Sequence, residues 1–181
     1  MIGALPKKLK INNVDYAIDS DFRTALLIFE MFESTSKNMT PLNKQLAMFE
    51  ILYMGIIPDN VEEAQKQALW FLNVGQESKK KQPKTLDYKQ DEQLIFSAVN
   101  AVYTKEVRAE KYMHWWTFYG LCQAINPESL ISNVISIRLK KATGKKLEKH
   151  EKQFYNENKD LIDFDDLNFD YDEMAKVLRG G

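Results

Sequence analysis

Apolar positions recur along this chain in two rhythms. Between Leu9 and Ile18 the rhythm is two: Leu9, Ile11, Tyr16 and Ile18 are separated by polar or small residues, with Asn12-Asn13 between the arms. A period of two marks a half-buried strand. Asn tolerates the positive φ of a type I′ turn, so the first twenty residues predict a β-hairpin with a two-residue loop. A lone hairpin is marginal in water and has to pack on something.

From Asp21 onward the rhythm is helical. Phe22, Ala25, Leu26, Phe29 and Phe32 share one face, with Asp19 or Ser20 as the expected cap. Ser34 to Met39 is polar loop. Thr40-Pro41 combines a hydroxyl cap with proline at the first helical position. Leu42, Leu46, Phe49, Leu52 and Tyr53 then line one side, up to Gly55 and Pro58. Asn60 caps a third helix, with Glu63 at the capping-box position, a stripe of Val61, Ala64, Ala68, Phe71 and Leu72, and a stop at Gly75. A fourth helix is marked by Leu94, Ile95, Ala98, Val99, Val102 and Tyr103. A fifth is expected from about Glu110 to Ile125, broken by Asn126-Pro127. A sixth carries Leu130, Ile131, Val134, Ile135 and Leu139, with Ile137 off the main stripe, and ends at Gly144. A short basic helix, about Lys146 to Asn158, follows.

The fold class expected is therefore mostly α: a compact bundle of about six helices with an N-terminal β-hairpin and an acidic C-terminal tail. Residues 76–86, QESKKKQPKTL, are polar and basic as far as Thr85, with one proline, and predict a linker or loop. They separate a hairpin-plus-helical lobe (1–75) from a second helical lobe (87–158). Residues 159–181 form the acidic aromatic tail, with seven acids against three bases and a net charge of −4. The stretch before it, Ile137 to Lys152, holds seven bases against two acids, a net +5. Opposite blocks this close fold against each other or dock on a partner.

Composition narrows the function classes. The 181 residues balance 25 bases against 26 acids, which argues against a dedicated nucleic-acid binder. Lys79-Lys80-Lys81 lacks interleaved aromatics or glycines and is expected to be a solvated loop. No run approaches the ~18 apolar residues of a membrane span, and the N-terminus lacks the apolar core of a signal peptide. One cysteine, Cys122, excludes an internal disulfide and is expected as a buried thiol in a cytoplasmic protein.

Candidate chemistry is sparse. His114 and His150 lie far apart, and no HExxH or CxxC motif accompanies them, so a metal site has few ligands. Asp166, Asn168 and Asp170 have the 1-3-5 spacing of a calcium loop, but Tyr171 stands where the loop needs glycine and Val177 where it needs glutamate. Phosphate-cradling glycine loops and nucleophile motifs are absent. The expectation is a non-enzyme with no catalytic, cofactor-binding or metal-binding residues and no cofactor.

The unusual stretch is Met113 to Gly120, MHWWTFYG. On a helical wheel Trp115, Tyr119, Cys122, Phe118, Ile125 and Leu121, with Trp116 and Tyr112, cover more than half the circumference. About 100° of apolar arc suffices to seat a surface helix. One reading makes Trp115, Phe118, Leu121, Cys122 and Ile125 core, with Trp116 covering the gap to a neighbouring helix. The other makes Trp116, with Tyr112 or Tyr119, an exposed anchor for a partner. The tail adds a second interaction signal. Leu167, Phe169 and Tyr171 alternate as in an added strand, while Phe164, Leu167, Tyr171 and Met174 match a helical stripe. The candidate partner-binding set is thus Tyr112, Trp115, Trp116, Tyr119, Phe164, Leu167, Phe169 and Tyr171.

The order of these segments resembles a known family. The hairpin, SDFRTALLIFEMFE, DYKQDEQLIFSAVNAVY, MHWWTFYGLCQAI and ISNVISIRLKK are similar to tail assembly chaperone-type proteins of long-tailed bacteriophages of Gram-positive hosts, over about residues 5 to 155. The most specific element is the pattern His114, Trp115, Trp116, Phe118 and Leu121, supported by Asp87, Tyr88, Asp91 and Ile95. The resemblance implies a helical protein encoded beside the tape measure protein. Such a protein coats the long apolar tape measure helix, recruits tail tube subunits, and leaves before the tail is complete. It implies no catalytic residues. The expected partners are the phage tape measure and tail tube proteins, with self-association also open and no membrane. The rivals are a permanent tail component and a DNA-associated regulatory protein. The long acidic C-terminal arm departs from the family picture.

Overall fold

The computed structural model describes residues 3–34, 36–76 and 83–164. Strands β1 (Lys8–Ile11) and β2 (Val14–Ala17) pair antiparallel, with Leu9 opposite Tyr16 and Ile11 opposite Val14. Asn12 and Asn13 take φ values of 49° and 64°, the left-handed pair a type I′ turn requires. Leu9 and Ile11 are buried, and the hairpin does pack on something. Its tip sits on the start of a helix: Asn12 N–H donates to Glu63 Oε2 at 2.7 Å, and Asn60 Nδ2 donates to Asn12 Oδ1 at 3.1 Å. Glu63 therefore anchors the hairpin instead of completing a capping box.

Eight α-helices follow among the described residues: α1 (Phe22–Glu33), α2 (Pro41–Leu52), α3 (Val61–Leu72), α4 (Glu92–Tyr103), α5 (Trp115–Gln123), α6 (Leu130–Ala142), α7 (Lys149–Glu157) and the single-turn α8 (Lys159–Ile162). The mostly helical architecture with an N-terminal hairpin is as expected. α7 was anticipated as the short basic helix; α8 and the 3-10 turn Val107–Ala109 were not. Thr40, Asn60 and Ser129 cap α2, α3 and α6 through their side chains.

Several local expectations need correction. The cap of α1 is Asp21, whose carboxylate accepts from Arg23 N–H; Asp19 instead accepts from Thr24 Oγ1 at 2.7 Å. Ile28, which the expected α1 stripe omitted, is fully buried. Leu42, Leu46 and Val61 are exposed: α2 turns Met48, absent from the expected stripe, inward, and α3 buries the expected Ala64, Ala68, Phe71 and Leu72 without Val61. α5 begins at Trp115, not near Glu110. The main chain before it is engaged across the fold: Phe22 N–H donates to Met113 O at 2.9 Å and Trp115 N–H to Ser20 O at 2.8 Å. Those pairings hold the segment extended, so it cannot join the helix.

Ile137 is also buried, because α6 serves two clusters. Ile131 and Ile135 face the main core, while Val134 and Ile137 pack with Ile162 of α8 and with Leu147, Phe154 and Tyr155. The main core takes residues from both sides of the 76–86 segment, from Leu9 to Ile131. The described part of the acidic tail does fold against the basic block: Lys141 pairs with Asp163, and Tyr155 Oη donates to the same carboxylate at 2.9 Å.

Candidate functional site

The two tryptophans are tied to the end of α3. The last carbonyls of a helix have no partner within it. Trp115 Nε1 donates to Leu72 O at 3.0 Å, and Trp116 Nε1 donates to Phe71 O at 2.9 Å. Adjacent indoles thus cap adjacent carbonyls. Trp116 packs edge-on against Trp70 at 5.3 Å and stacks on Phe71 at 6.4 Å. Its ring stands where a Cβ at Gly75 would come within 3.1 Å, and Gly75 itself holds a φ of +79°. Trp115 is buried and Trp116 half-buried. For the two tryptophans the geometry is that of the core reading, with Trp116 covering the junction to α3; Leu121, Cys122 and Ile125, which that reading also placed in the core, are half-buried.

His114 starts α5. Its Nδ1 accepts from Trp116 N–H at 3.0 Å, and its Nε2 lies 2.9 Å from Pro6 O. A carbonyl only accepts, so the proton sits on Nε2 and the ring is neutral. Burial, aided by the charge of Lys7, pulls its pKa below the ordinary 6.5 against the opposing pull of the Pro6 bond. This histidine is a helix cap, with both ring nitrogens engaged by backbone groups.

Beside these rings lies an apolar groove of about 480 Å³. α1 supplies Leu26 and Phe29, and α5 and its C-terminal turn supply Trp115, Tyr119, Cys122 and Ile125. α6 closes one side with Ile131 and Ile135, and the strap before α4 contributes Leu86 and Tyr88. Phe29 and Tyr88 stack at 5.3 Å across one wall, and Trp115 meets Tyr119 edge-on at 5.8 Å. The rim is polar and uncharged: Asn73, Gln76, Gln123 and Ser132. Most of the walls are half-buried rather than sealed. The Cys122 thiol is pushed up to about 12 by burial, so it stays protonated at neutral pH and acts as an apolar wall. Burial likewise raises the Tyr88 hydroxyl, which remains protonated.

Of the expected partner-binding residues, Trp115 and Tyr119 line the groove. Trp116 faces the end of α3. Tyr112 is exposed, with its hydroxyl 2.8 Å from Ser20 Oγ and Lys7 over its ring at 4.9 Å. Phe164 is half-buried under Arg138, whose guanidinium carbon is 4.2 Å from the ring centroid. Leu167, Phe169 and Tyr171 lie outside the described residues, as does Lys79–Lys81. Leu86, Tyr88, Ile125 and Ile135 complete the groove and were not in the expected set. The signal for Leu86 and Tyr88 was their place as the first large apolar residues after the basic segment.

A buried ion pair fixes the strap and the start of the tail. Arg138 and Asp91 are 4% and 1% exposed. All five guanidinium N–H groups have acceptors: Asp91 twice, Thr85 O, Leu161 O and Ile162 O. Among the described residues no group of three or more His, Cys, Asp or Glu is placed to hold a metal ion. No described helix is long and apolar enough to cross a membrane.

In comparison with known protein families, residues 1–164 fit the family described as Bacteriophage Gp15 protein. No curated protein and no solved structure matches.

Proposed function

We propose that this chain, which belongs to the Bacteriophage Gp15 protein family, is a non-enzymatic tail assembly chaperone that seats an amphipathic helix of the tape measure protein in the groove. The observation that carries the reading is the groove itself: aliphatic and aromatic walls, a neutral polar rim and about 480 Å³ of space, on a helical frame. A helix in a groove is recognised by apolar side chains spaced three and four residues apart. The tape measure protein is the partner that the resemblance implies. The match to a phage family agrees with that choice.

Reversibility follows from the site's chemistry. The described walls hold no charged side chain and no reactive thiolate, so binding is chiefly by burial of apolar surface. Such binding masks an apolar helix and releases it when a better partner covers the same face. Recruitment of tail tube subunits, release before the tail is complete, and action in the host cytoplasm belong to the same proposal.

The test is co-expression with the tape measure and tail tube proteins of the same phage, with an affinity tag on this chain. The native chain is expected to retain the tape measure protein through a mild-salt wash, and Ile135→Asp to lose it while keeping the native circular dichroism spectrum. Capture of neither partner by the native chain overturns the reading. Presence of the chain in purified virions would make it a resident tail component instead.

A further inference from the structure

The strap wall of the groove and the root of the C-terminal arm are joined through one side chain. Arg138 Nη1 donates to Thr85 O at 3.3 Å, next to Leu86 in the groove wall. Arg138 Nε donates to Ile162 O at 2.7 Å and Nη2 to Leu161 O at 3.0 Å. Phe164 then lies against both Arg138 and Lys84, whose ammonium is 5.1 Å from its ring centroid. The chain therefore leaves Phe164 alongside the strap that walls the groove.

From that point the sequence continues through residues 165–181. Even as a helix, at ~1.5 Å per residue, this segment reaches about 25 Å, and more if extended. That is enough to run along a groove whose wall includes Leu86, two residues from the Lys84 that Phe164 lies against. Leu167, Tyr171, Met174 and Leu178 recur at intervals of four, three and four, one apolar face for a helix-in-groove contact. The segment carries five acids and two bases. No described residue lining the groove is charged, and Glu33, which lies beside Tyr88, is paired with Lys84.

We infer that the C-terminal arm is an intramolecular occupant of the groove, with Leu167, Tyr171, Met174 and Leu178 seated against Tyr88, Tyr119, Cys122, Ile125 and Ile135. Tethering at Phe164 gives the arm an effective concentration in the millimolar range, as for a short linker. The protein then masks its own site until a helix with higher affinity displaces the arm. The masking role rests on the groove being the partner site; the docking itself does not.

Two measurements on the full chain test this, and neither uses a partner. Cys122 is the only thiol, and it lines the groove. Replacing Leu167, Tyr171, Met174 and Leu178 together by Ser is expected to raise its rate of maleimide modification about tenfold, as expected for a protecting contact removed. Far-ultraviolet circular dichroism and thermal midpoint verify that the variant stays folded. An unchanged rate overturns the inference. Second, Tyr171→p-benzoylphenylalanine is irradiated in dilute native protein. Crosslinks within one chain to the Tyr119–Ile125 or Ile131–Ile135 peptides are expected. Crosslinks between two chains would put a second copy in the groove, and crosslinks to another face would put the arm elsewhere; either overturns the inference. A faster Cys122 reaction without tape measure capture would leave the arm docked and the chaperone reading lost. The reverse pair of results would do the opposite.

Discussion

Arg138 of α6 and Asp91 at the start of α4 form a buried bidentate pair, with Nη1 to Oδ2 at 2.5 Å and Nη2 to Oδ1 at 3.0 Å. Removing one member strands the other charge in the interior, which typically costs about 3–5 kcal/mol. Asp91→Ala is expected to destabilise the protein by that amount in urea unfolding. The pair Asp91→Leu with Arg138→Met removes the stranded charge but leaves the Thr85, Leu161 and Ile162 carbonyls without their donor. It is therefore expected to recover part of the loss and to remain less stable than the native chain.

The tandem tryptophans predict a stability effect before any effect on binding. Trp116→Phe keeps most of the ring but removes the bond to Phe71 O, a loss of about 1 kcal/mol. Trp115→Ala empties a buried site and is expected to cost about 3–5 kcal/mol. Gly75→Ala adds strain at a left-handed φ and pushes on the Trp116 ring, so about 1–2 kcal/mol is expected from a position far from any catalytic role. Chemical denaturation of the three variants checks the order: Trp115→Ala lowest, the other two close together.

His114 gives a pH dependence with a definite sign. Its folded pKa lies below the ordinary 6.5 because burial disfavours the charged ring. The unfolded chain then binds a proton more readily than the folded one, and stability falls as pH drops through that window. Protonation of Nδ1 would also remove the acceptor for Trp116 N–H. Thermal midpoints are expected to decline from about pH 7 to pH 5. Glu33 acts oppositely: burial raises its pKa, so the folded state gains relative stability on acidification. His114→Asn keeps a capping side chain and keeps Glu33, and is expected to flatten the decline. An equal decline in the variant would assign it elsewhere.

The groove predicts a split between binding and folding. Ile135 and Tyr119 are half-buried on its walls. A carboxylate placed there opposes any apolar face seated in the groove, and it keeps access to water when the groove is empty. Ile135→Asp and Tyr119→Asp are each expected to weaken tape measure binding at least tenfold while costing about 1–2 kcal/mol of stability, within the ordinary range for a single substitution. Calorimetric titration and denaturation of the same samples separate the two effects.

What was legible in the sequence follows from how local each signal is. The Asn12-Asn13 turn, the Thr40-Pro41 start and the Asn60 cap are fixed by neighbours within four residues, and each is where the pattern placed it. The start of α5 was not legible, because what ends the extended segment is pairing with Ser20 and Phe22, more than 90 residues earlier. Histidine as a cap gave no warning. The indole bonds to Leu72 and Phe71 were hidden for the same reason, although the tryptophans themselves stood out. Arg138 did leave a trace: it lies four residues after Val134 and seven after Ile131, on an otherwise apolar face. Its acid partner is 47 residues away, and the pair appears only once the helices pack. Half of the groove could be seen as α1 and α5 stripes; the strap and α6 join it only through tertiary packing.

The most direct measurement is a hydrogen-exchange footprint of the chain with Leu167, Tyr171, Met174 and Leu178 replaced by Ser, which leaves the groove open, alone and in complex with the tape measure protein. The account predicts new protection confined to Leu86–Tyr88, Tyr119–Ile125 and Ile131–Ile135, the segments that wall the groove. Protection instead at the exposed aliphatic residues Val14, Ile56, Ile57 and Val61, with the groove segments unchanged, would contradict it.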